Sequence, residues 1–519
     1  MRFVCNFILS RDDRRRWLAL LIVLAMLGAC AAPGLRTDLE RLAPSYAAPP
    51  ATTGVLAAVA EQVRATNGPS KSGFHLLDGS HESLTWRLAL IDSAVSSLDI
   101  LTYLWYPDIS GKLLLERAIL AAERGVRVRL VIDDLLTIGQ DLPLANIQNL
   151  PNVELRLFNP WEKRRLSARA GQMIAQMERL NTRMHDKLII ADGNAVILGG
   201  RNIGDHYFGL NQHYNFHDLD VLAFGAIAGD SNEMFDHFWN SEWLVSAEHL
   251  TTSPDAAKGE EAWQRLQAQV RNAEELASFA VQPKEWSAEL SALQPELRPG
   301  SGHLEYDEVL ASAVNQDMLA TMFDFFELAE TELLITNAYI IPGEPGMDML
   351  RRLIGKGVTI RILTNSLASH DVPAVNSHYE PWRKRILGTG AELYELRADA
   401  EIQRIVDIPP VSGKFVGLHT KAAVVDGRYA FIGSMNLDPR SAAINTEMGA
   451  IIDSPGLAED LRVIMLRDMQ GNNAWQVTLT DDGKLRWTND DDTVSSQPSR
   501  GFLQNVMNQV FKVVPKQQF

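Results

Sequence analysis

The chain has very few cysteines. Of its 519 residues only Cys5 and Cys30 are cysteine, and both lie within the first 30 positions. No downstream segment can therefore contribute a disulfide or a thiolate metal site. The sequence also lacks an excess of positive charge, since its formal net charge is −16. Nucleic-acid binders normally carry a basic surface, so this charge argues against a nucleic-acid partner.

Long hydrophobic runs are missing as well. The most apolar segment, residues 17–27, has 11 consecutive apolar residues, whereas a helix that crosses a bilayer core needs about 20. A run of arginines at 14–16 precedes this segment. Positive charge followed by a short apolar run is typical of a secretory signal peptide.

The segment ends in Leu27-Gly28-Ala29-Cys30, which resembles a bacterial lipobox. The resemblance implies that residues 1–29 are a lipoprotein signal peptide and that Cys30 is diacylated as the first mature residue. Because Ala31 follows, it further implies an anchor in the bacterial cell envelope, at the periplasmic face of the outer membrane. An ordinary signal peptide, or a short anchor with an incidental cysteine, are the alternatives.

The remainder of the chain contains a long internal repeat. Apolar, β-prone segments at 97–106 and 331–340 are each followed by a helical pattern and a second strand pattern. From Gly125 to His185 is 60 residues, and from Gly357 to His419 is 62. Strand and helix alternation at matched spacing predicts an α/β fold of two similar lobes, each a mixed β-sheet flanked by helices.

These patterns also predict the domain boundaries. The Ala-, Pro- and Thr-rich stretch after the signal peptide is expected to be flexible, and the polar stretch between the lobes is expected to connect them. The predicted order is a tether at 30–70, a first lobe at 71–250, a connecting segment at 251–300, a second lobe at 301–470 and a tail at 471–519. Phe502, Val506, Val510 and Val513 are at helical spacing. The tail helix either packs on its own domain or lies on a membrane surface.

One motif occurs at the same place in both halves. The pattern H-x-K-x-x-x-x-D spans residues 185–192 and 419–426, and each copy is followed by two small residues and an asparagine. Asp-Gly between two apolar runs predicts a β-hairpin. Since side chains two apart on a strand share a face, the histidine and lysine of each copy point the same way.

Two histidines and two lysines at one seam suit the chemistry of a phosphodiester. One imidazole can attack phosphorus, the other can move protons, and the lysines can hold negative charge on the phosphate oxygens. Asn202, Ser434 and Asn436 are placed to donate hydrogen bonds to the same oxygens. Such a site requires no metal and no other cofactor, and paired lysines repel a cation.

This duplicated motif resembles the hallmark of the phospholipase D superfamily. The resemblance covers residues 75–470 and implies two lobes related by a pseudo-two-fold axis, with the active site at the seam. It implies that the catalytic motif residues are His185, Lys187, Asp192, His419, Lys421 and Asp426. In this family the first histidine is usually the nucleophile and the second the acid and base, while the motif aspartates are expected to be structural supports. Glu447, and Asp218 as its counterpart, are expected to orient the histidines.

Three longer stretches, at 183–209, 363–396 and 433–449, resemble bacterial cardiolipin synthases of the C group. This implies transfer of a phosphatidyl group, through a phosphohistidine, to phosphatidylglycerol at a membrane surface, with phosphatidylethanolamine as a further candidate substrate. Gly200 stands where the second copy has Ser434, so the halves are not equivalent. A hydrolytic phospholipase D and a phosphodiesterase nuclease are the alternatives.

Overall fold

The computed structural model describes residues 42–137, 139–162, 164, 177–249, 252–310 and 313–511. The predicted signal peptide, the lipidation site Cys30 and the beginning of the predicted tether lie outside these residues. The protein has an α/β fold of two lobes, as predicted. Its strands and helices follow the repeat recognised in the sequence.

The helices flank the sheets and differ widely in length. They are α1 (Val55–Asn67), α2 (Ser80–Ser93), α3 (Ile109–Glu123), α4 (Asp141–Gln148), α5 (Met177–Asn181), α6 (Ala226–Trp239), α7 (Ala256–Arg271), α8 (Ser287–Leu293), α9 (Met318–Glu327), α10 (Gly343–Gly355), α11 (Pro373–Tyr379), α12 (Trp382–Leu387), α13 (Gln403–Val406), α14 (Pro439–Ala443), α15 (Pro455–Asp468) and α16 (Phe502–Phe511).

The strands of the first lobe are β1 (Ser72–Leu77), β2 (Ser97–Thr102), β3 (Arg127–Asp133), β4 (Val153–Phe158), β5 (Leu188–Ala191), β6 (Ala195–Gly199), β7 (Asn215–His217), β8 (Asp220–Gly225) and β9 (Leu244–Ser246). Those of the second are β10 (Arg298–Tyr306), β11 (Glu308–Val309), β12 (Val314–Asn315), β13 (Glu332–Asn337), β14 (Thr359–Asn365), β15 (Glu392–Leu396), β16 (Val416–Leu418), β17 (Lys421–Val425), β18 (Tyr429–Gly433), β19 (Met448–Asp453), β20 (Ala474–Leu479), β21 (Leu485–Thr488) and β22 (Thr493–Val494).

The two lobes have the same sheet topology. In the first lobe the strand order is β1-β8-β6-β5-β2-β3-β4-β9, with parallel pairing only among β2, β3 and β4. In the second lobe β10-β19-β18-β17-β13-β14-β15-β20 repeats that order and those directions. The parallel strands are joined by crossover helices, as parallel pairing requires. The duplicated fold predicted from the repeat is therefore confirmed.

The lobes are joined through their backbones and through a common core. Strand β1 pairs antiparallel with β10, and β7 pairs in parallel with β16, so each pairing links the two lobes. One apolar cluster contains residues of both lobes and is filled by α6 and α15. Its Phe235, Phe238 and Trp239 are fully buried. Burial of one such side chain stabilises a fold by about 1.5–3 kcal/mol, so the cluster fixes the lobes against each other.

The predicted flexible tether at 30–70 is wrong for its described second half. Residues 55–67 form α1, whose Leu56, Val59 and Val63 are buried in the core of the first lobe. The backbone N–H of Ala47 donates to the carboxylate of Asp236 at 2.8 Å. Apolar residues at helical spacing within the Ala-rich stretch explain the error, because they give this segment a face to bury.

The second lobe also extends past the predicted boundary at 470. Strand β20 pairs with β15, and β21 and β22 continue the sheet from it. Val477 and Trp487 are buried in the core of this lobe. The segment predicted to connect the lobes contains α7 and α8, and α8 contributes Leu290 and Leu293 to the first-lobe core.

Helix α16 packs on the second lobe with its polar side. Asn508 is fully buried and accepts a hydrogen bond from Asn376 of α11 at 2.9 Å. Phe502 is 83% exposed and Val510 is 59% exposed, so the apolar side faces outward. Among the helices of the described ranges, none combines the length and the apolar character needed to cross a membrane.

Candidate active site

The motif aspartates lie at the far ends of the two hairpins from the histidines. Asp192 and Gly193 have positive φ, as do Asp426 and Gly427, which is the conformation that the Asp-Gly turns predicted. The carboxylate of Asp192 accepts from the backbone N–H groups of residues 95–97. These bonds fasten the hairpin to the entry of β2. The aspartate therefore supports the lobe and does not contact the reacting groups.

Asp426 repeats this arrangement in the second lobe. Its carboxylate accepts from the backbone N–H groups of Glu330, Thr331 and Glu332, at the entry of β13. Asp192 and Asp426 were grouped with the catalytic residues because they belong to the motif. Their placement corrects that grouping, because each lies in the turn after a short strand, at the end away from the histidine.

Each motif histidine is held by a carboxylate from the other lobe. Nδ1 of His185 lies 2.9 Å from Oε2 of Glu447, and Nδ1 of His419 lies 2.5 Å from Oδ2 of Asp218. All four side chains are at least nine-tenths buried. A carboxylate on Nδ1 fixes the ring and leaves Nε2 for a substrate. The crossed pairs place both imidazoles at the seam.

The two crossed pairs differ because of the residue that follows each hairpin. In the first lobe a Cβ at Gly200 would lie 2.3 Å from Oδ1 of Asp218, so only glycine fits beside this short carboxylate. In the second lobe Ser434 occupies the equivalent position, and its Oγ donates to Oε2 of Glu447 at 2.5 Å. The predicted inequivalence of the halves thus matches the change from aspartate to the longer glutamate.

The motif lysines are buried beside the histidines. Lys187 and Lys421 are 3% and 1% exposed, and each Nζ donates to the backbone carbonyl of its own motif histidine. Burial lowers the pKa of Lys187 to about 7, although the Glu447 carboxylate acts in the opposite direction. Burial likewise lowers the pKa of Lys421 to about 8 against the influence of Asp218. In their protonated form, these two buried lysines can attract an anion to the seam.

The electrostatic environments of the histidines are not equal. Burial, then the charge of Lys187 and of Lys421, lowers the pKa of His185 well below its ordinary value. The charge of His419 lowers it further. Burial raises the pKa of Glu447 well above its ordinary value, although Lys187 and Ser434 oppose this. The His185–Glu447 pair is therefore favoured in its uncharged form.

The second pair carries charge. Burial alone raises the pKa of Asp218, but the charges of His419 and Lys421 and the hydrogen bond from His419 lower it to about 2 overall. Burial and Lys421 lower the pKa of His419, whereas Asp218 raises it. An ionised carboxylate at Nδ1 stabilises an imidazolium. His419 is thus the ring better able to hold a proton when a phosphate anion is bound.

The predicted hydrogen-bond donors have different surroundings. Nδ2 of Asn202 donates to the hydroxyl of Tyr207 at 2.8 Å, and its Oδ1 accepts from the backbone N–H of Leu104. The hydroxyl of Ser434 is directed at Glu447. Asn436 is 5% exposed, and its Oδ1 has no hydrogen-bond partner among the described residues. Of the three, Asn436 is the residue with a side-chain oxygen that has no hydrogen-bond partner among the described residues.

Several site residues were not anticipated from the sequence. Tyr103 contacts His185 edge-on at 5.1 Å between ring centroids, and Tyr207 contacts His419 in the same way at 5.2 Å. Asp307 accepts from the backbone N–H of Glu447 at 2.9 Å. Tyr103 follows β2, and Tyr207 follows the first motif by 15 residues. No spacing rule relates them to the histidines.

Comparisons with known proteins agree with this arrangement. A family model described as "Cardiolipin synthase, PLD-like domain" matches residues 88–239 and 322–469. Cardiolipin synthase C of Escherichia coli (strain K12) is 33% identical over 467 residues, covering 86% of this chain and 96% of the relative. An uncharacterized protein of Helicobacter pylori (strain J99) is 30% identical, covering 90% of this chain and 93% of the relative.

One solved structure extends the comparison to the fold. Phosphatidylserine synthase of Haemophilus influenzae Rd KW20 superposes with a TM-score of 0.52 at 14% sequence identity. The match covers 79% of this chain and 90% of that one. At this identity the likeness concerns the fold.

Proposed function

The chain belongs to the phospholipase D superfamily, among its cardiolipin synthase-like members, and from this premise we propose that it makes cardiolipin by transphosphatidylation onto phosphatidylglycerol. The observation that carries the proposal is the crossed arrangement at the seam. Two histidines, each held by a carboxylate of the other lobe, stand beside two buried lysines. These groups supply a nucleophile, an acid and an anion site without a metal.

In the first step His185 attacks the donor lipid. Nε2 of His185 forms a bond to phosphorus, and the bond from phosphorus to the head-group oxygen breaks. His419 donates its proton to that oxygen, and the head group leaves as an alcohol. Lys187 and Lys421 hold the phosphate oxygens as charge shifts onto them. An uncharged His185 has the free electron pair that attack requires.

In the second step the acceptor completes the transfer. His419, now neutral, takes the proton of a glycerol hydroxyl of phosphatidylglycerol. The oxygen attacks phosphorus, the phosphorus–nitrogen bond breaks, and His185 is restored. The donor is phosphatidylglycerol, which releases glycerol, or phosphatidylethanolamine, which releases ethanolamine. If water takes the acceptor position, the same residues release phosphatidic acid.

The choice between transfer and hydrolysis can be measured directly. The enzyme is incubated in H₂¹⁸O with vesicles of phosphatidylglycerol, alone and mixed with phosphatidylethanolamine, and the products are analysed by mass spectrometry. We expect unlabelled cardiolipin as the main product in both, with ethanolamine released only if the second lipid is a donor. The variant Lys421→Met serves as the inactive control. Phosphatidic acid containing ¹⁸O as the only product would overturn the proposed transfer and establish hydrolysis.

We also propose that the enzyme works at a membrane surface of the bacterial cell envelope. The lipobox-like Leu27-Gly28-Ala29-Cys30 supports an acyl anchor, and the outward apolar side of α16 supports a second contact. Gln504 of α16 hydrogen-bonds to the carbonyl of Leu367, and Arg500 donates to the carbonyl of His370. The next residue, Asp371, raises the pKa of Lys421. The polar side of α16 thus packs near the loop that carries Asp371, while its apolar side faces outward.

This association is tested in two stages. Replacement Cys30→Ala is expected to abolish palmitate labelling and to move the protein out of the membrane fraction. In that background, Phe502→Ser with Val510→Ser is expected to weaken flotation with phosphatidylglycerol vesicles by about tenfold, since two apolar side chains no longer enter the bilayer surface. Gln509→Ser, exposed on the same helix, is the matched control. Unchanged labelling contradicts the anchor, and unchanged flotation contradicts the role of α16.

A further inference from the structure

Each lobe contains an apolar cavity outside the site described above. The cavity of the second lobe has a volume of about 180 Å³ and lies between α10, the sheet and the loop after the second motif. Its lining includes Phe323, Ile340, Met349 and Leu437. The cavity of the first lobe has a volume of about 480 Å³ and lies between α3, the sheet, α4 and α7. Most of its lining is also apolar.

The two cavities occupy equivalent places in the repeat. Ile362 of β14 lines the second-lobe cavity, and Leu130 of β3 lines that of the first lobe. Leu130 is opposite Ile100 of β2 and Ile362 is opposite Ile335 of β13. The β5–β2 and β17–β13 pairings place these residues at the same distance from the motif lysine of their lobe. Leu130 and Ile362 therefore occupy the same position of the repeat. Both cavities therefore lie under the crossover helix of their lobe.

Both cavities lie next to the loop that follows a motif, through the same kind of backbone bridge. In the second lobe Ile340 lines the cavity and bridges to Leu437, the residue after Asn436. In the first lobe Trp105 lines the cavity and bridges to Ile203, the residue after Asn202. The wall of each cavity is thus joined by backbone hydrogen bonds to the loop that follows a motif. Each cavity therefore adjoins the loop that carries Asn202 or Asn436.

We propose that each cavity takes an acyl chain of one of the two phospholipids, so that donor and acceptor enter the seam from opposite lobes. This inference rests on the proposed function, since a reaction that joins two lipids needs two chain sites whereas hydrolysis needs one. A hydrocarbon chain matches walls that are mostly apolar, although Lys112, Gln140 and Arg265 also line the first-lobe cavity. The repeat provides the second site at the place where the second lipid is required.

Cavity-filling variants test the proposal against matched controls. Ala442→Leu narrows the second-lobe cavity, and Ala262→Trp, at the exposed rim of the first-lobe cavity, narrows its mouth. Ala443→Leu and Ala257→Trp change exposed neighbours that line neither cavity. Turnover is measured in detergent micelles with dioleoyl- and with dihexanoyl-phosphatidylglycerol. We expect both filling variants to lower the ratio of kcat/KM for the long lipid over the short one by about tenfold, as the loss of about two buried methylenes implies.

A second measurement locates the chains without relying on turnover. Phosphatidylglycerol with a photoreactive diazirine near the end of one acyl chain is cross-linked to the wild-type enzyme, and the adducts are mapped by mass spectrometry. We expect adducts on peptides that contain Phe323 or Met349 and on peptides of α3 or α7. Adducts only outside both linings, or an unchanged chain-length ratio in the filling variants, would overturn the inference. The filling variants could still lower the ratio of kcat/KM for the long lipid over the short one while phosphatidic acid is the only product. That result would contradict the transfer reaction but would still support acyl-chain binding in the cavities.

Discussion

The variant His419→Ala is expected to form a phosphatidyl adduct on His185 and then to stop. On natural phospholipid it should be inactive, because the leaving alkoxide receives no proton. On a lipid ester of p-nitrophenol, whose leaving group needs little protonation, it should release one burst of nitrophenolate. General acid and base assistance contributes about 10²–10⁴-fold, so this partial rescue is large enough to measure. The adduct is mapped by mass spectrometry at neutral or alkaline pH, where phosphohistidine survives.

The companion variant His185→Ala should give neither burst nor adduct, because the nucleophile itself is missing. The assignment follows the electrostatics of the seam. His185 is paired with a carboxyl group whose burial raises its pKa, whereas His419 is paired with an ionised aspartate. An adduct on His419 in the His185→Ala enzyme would reverse the two roles. Absence of an adduct in both enzymes would contradict the covalent mechanism.

Replacement of each orienting carboxyl group by its amide is expected to change kcat very differently in the two cases. Asp218→Asn should lower kcat by about 10²–10⁴-fold, because the amide can hold His419 in the wrong tautomer and no longer stabilises its protonated form. The sign of the pH effect follows from Asp218 raising the pKa of His419. Without that carboxylate the pKa of His419 falls, so its protonated form is lost at a lower pH. The high-pH limb of the rate profile should move to lower pH.

Glu447→Gln should cost less than about tenfold, because the favoured state of Glu447 is already uncharged and the amide keeps its shape. Comparison of the two variants by kcat and by the pH profile checks the asymmetry, with circular dichroism confirming that both fold. Equal losses in the two variants, or an unmoved pH limb in Asp218→Asn, would show that the histidines are not differentiated by their carboxylates.

The sequence predicted the parts of the site that depend on local spacing. The hairpins, the shared face of each histidine and lysine, and the matched lobes all follow from short-range patterns around residues 185 and 419. The orienting carboxylates could be proposed only from family resemblance, because Asp218 and Glu447 act on histidines more than 200 residues away. Such a pairing depends on how the lobes pack, and no periodicity encodes it.

Other features were missed for different physical reasons. Ser434 was predicted to bind phosphate, but its hydroxyl is directed at Glu447, which lies beside it on the neighbouring strand. The tether prediction relied on the abundance of alanine and proline and overlooked the buried face of α1. Tyr103 and Tyr207 contact the rings of the motif histidines through tertiary packing alone. Composition therefore suggested too little structure in the tether. At Ser434, the position after the motif suggested a phosphate contact, whereas the hydroxyl contacts Glu447.

The crossing of the histidine–carboxylate pairs has a consequence for how such an enzyme can arise. Because each half carries a histidine but holds the carboxylate for the other, a half expressed alone has no complete site, whereas two copies of one ancestral half could complete two identical pairs by association. A symmetric assembly cannot make its pairs differ, since every mutation appears in both. Once the halves are fused in one gene, Gly200 with Asp218 and Ser434 with Glu447 can diverge independently. Under the proposed mechanism, fusion of the halves is what lets two equivalent histidines act differently, one as the nucleophile and the other as the proton carrier.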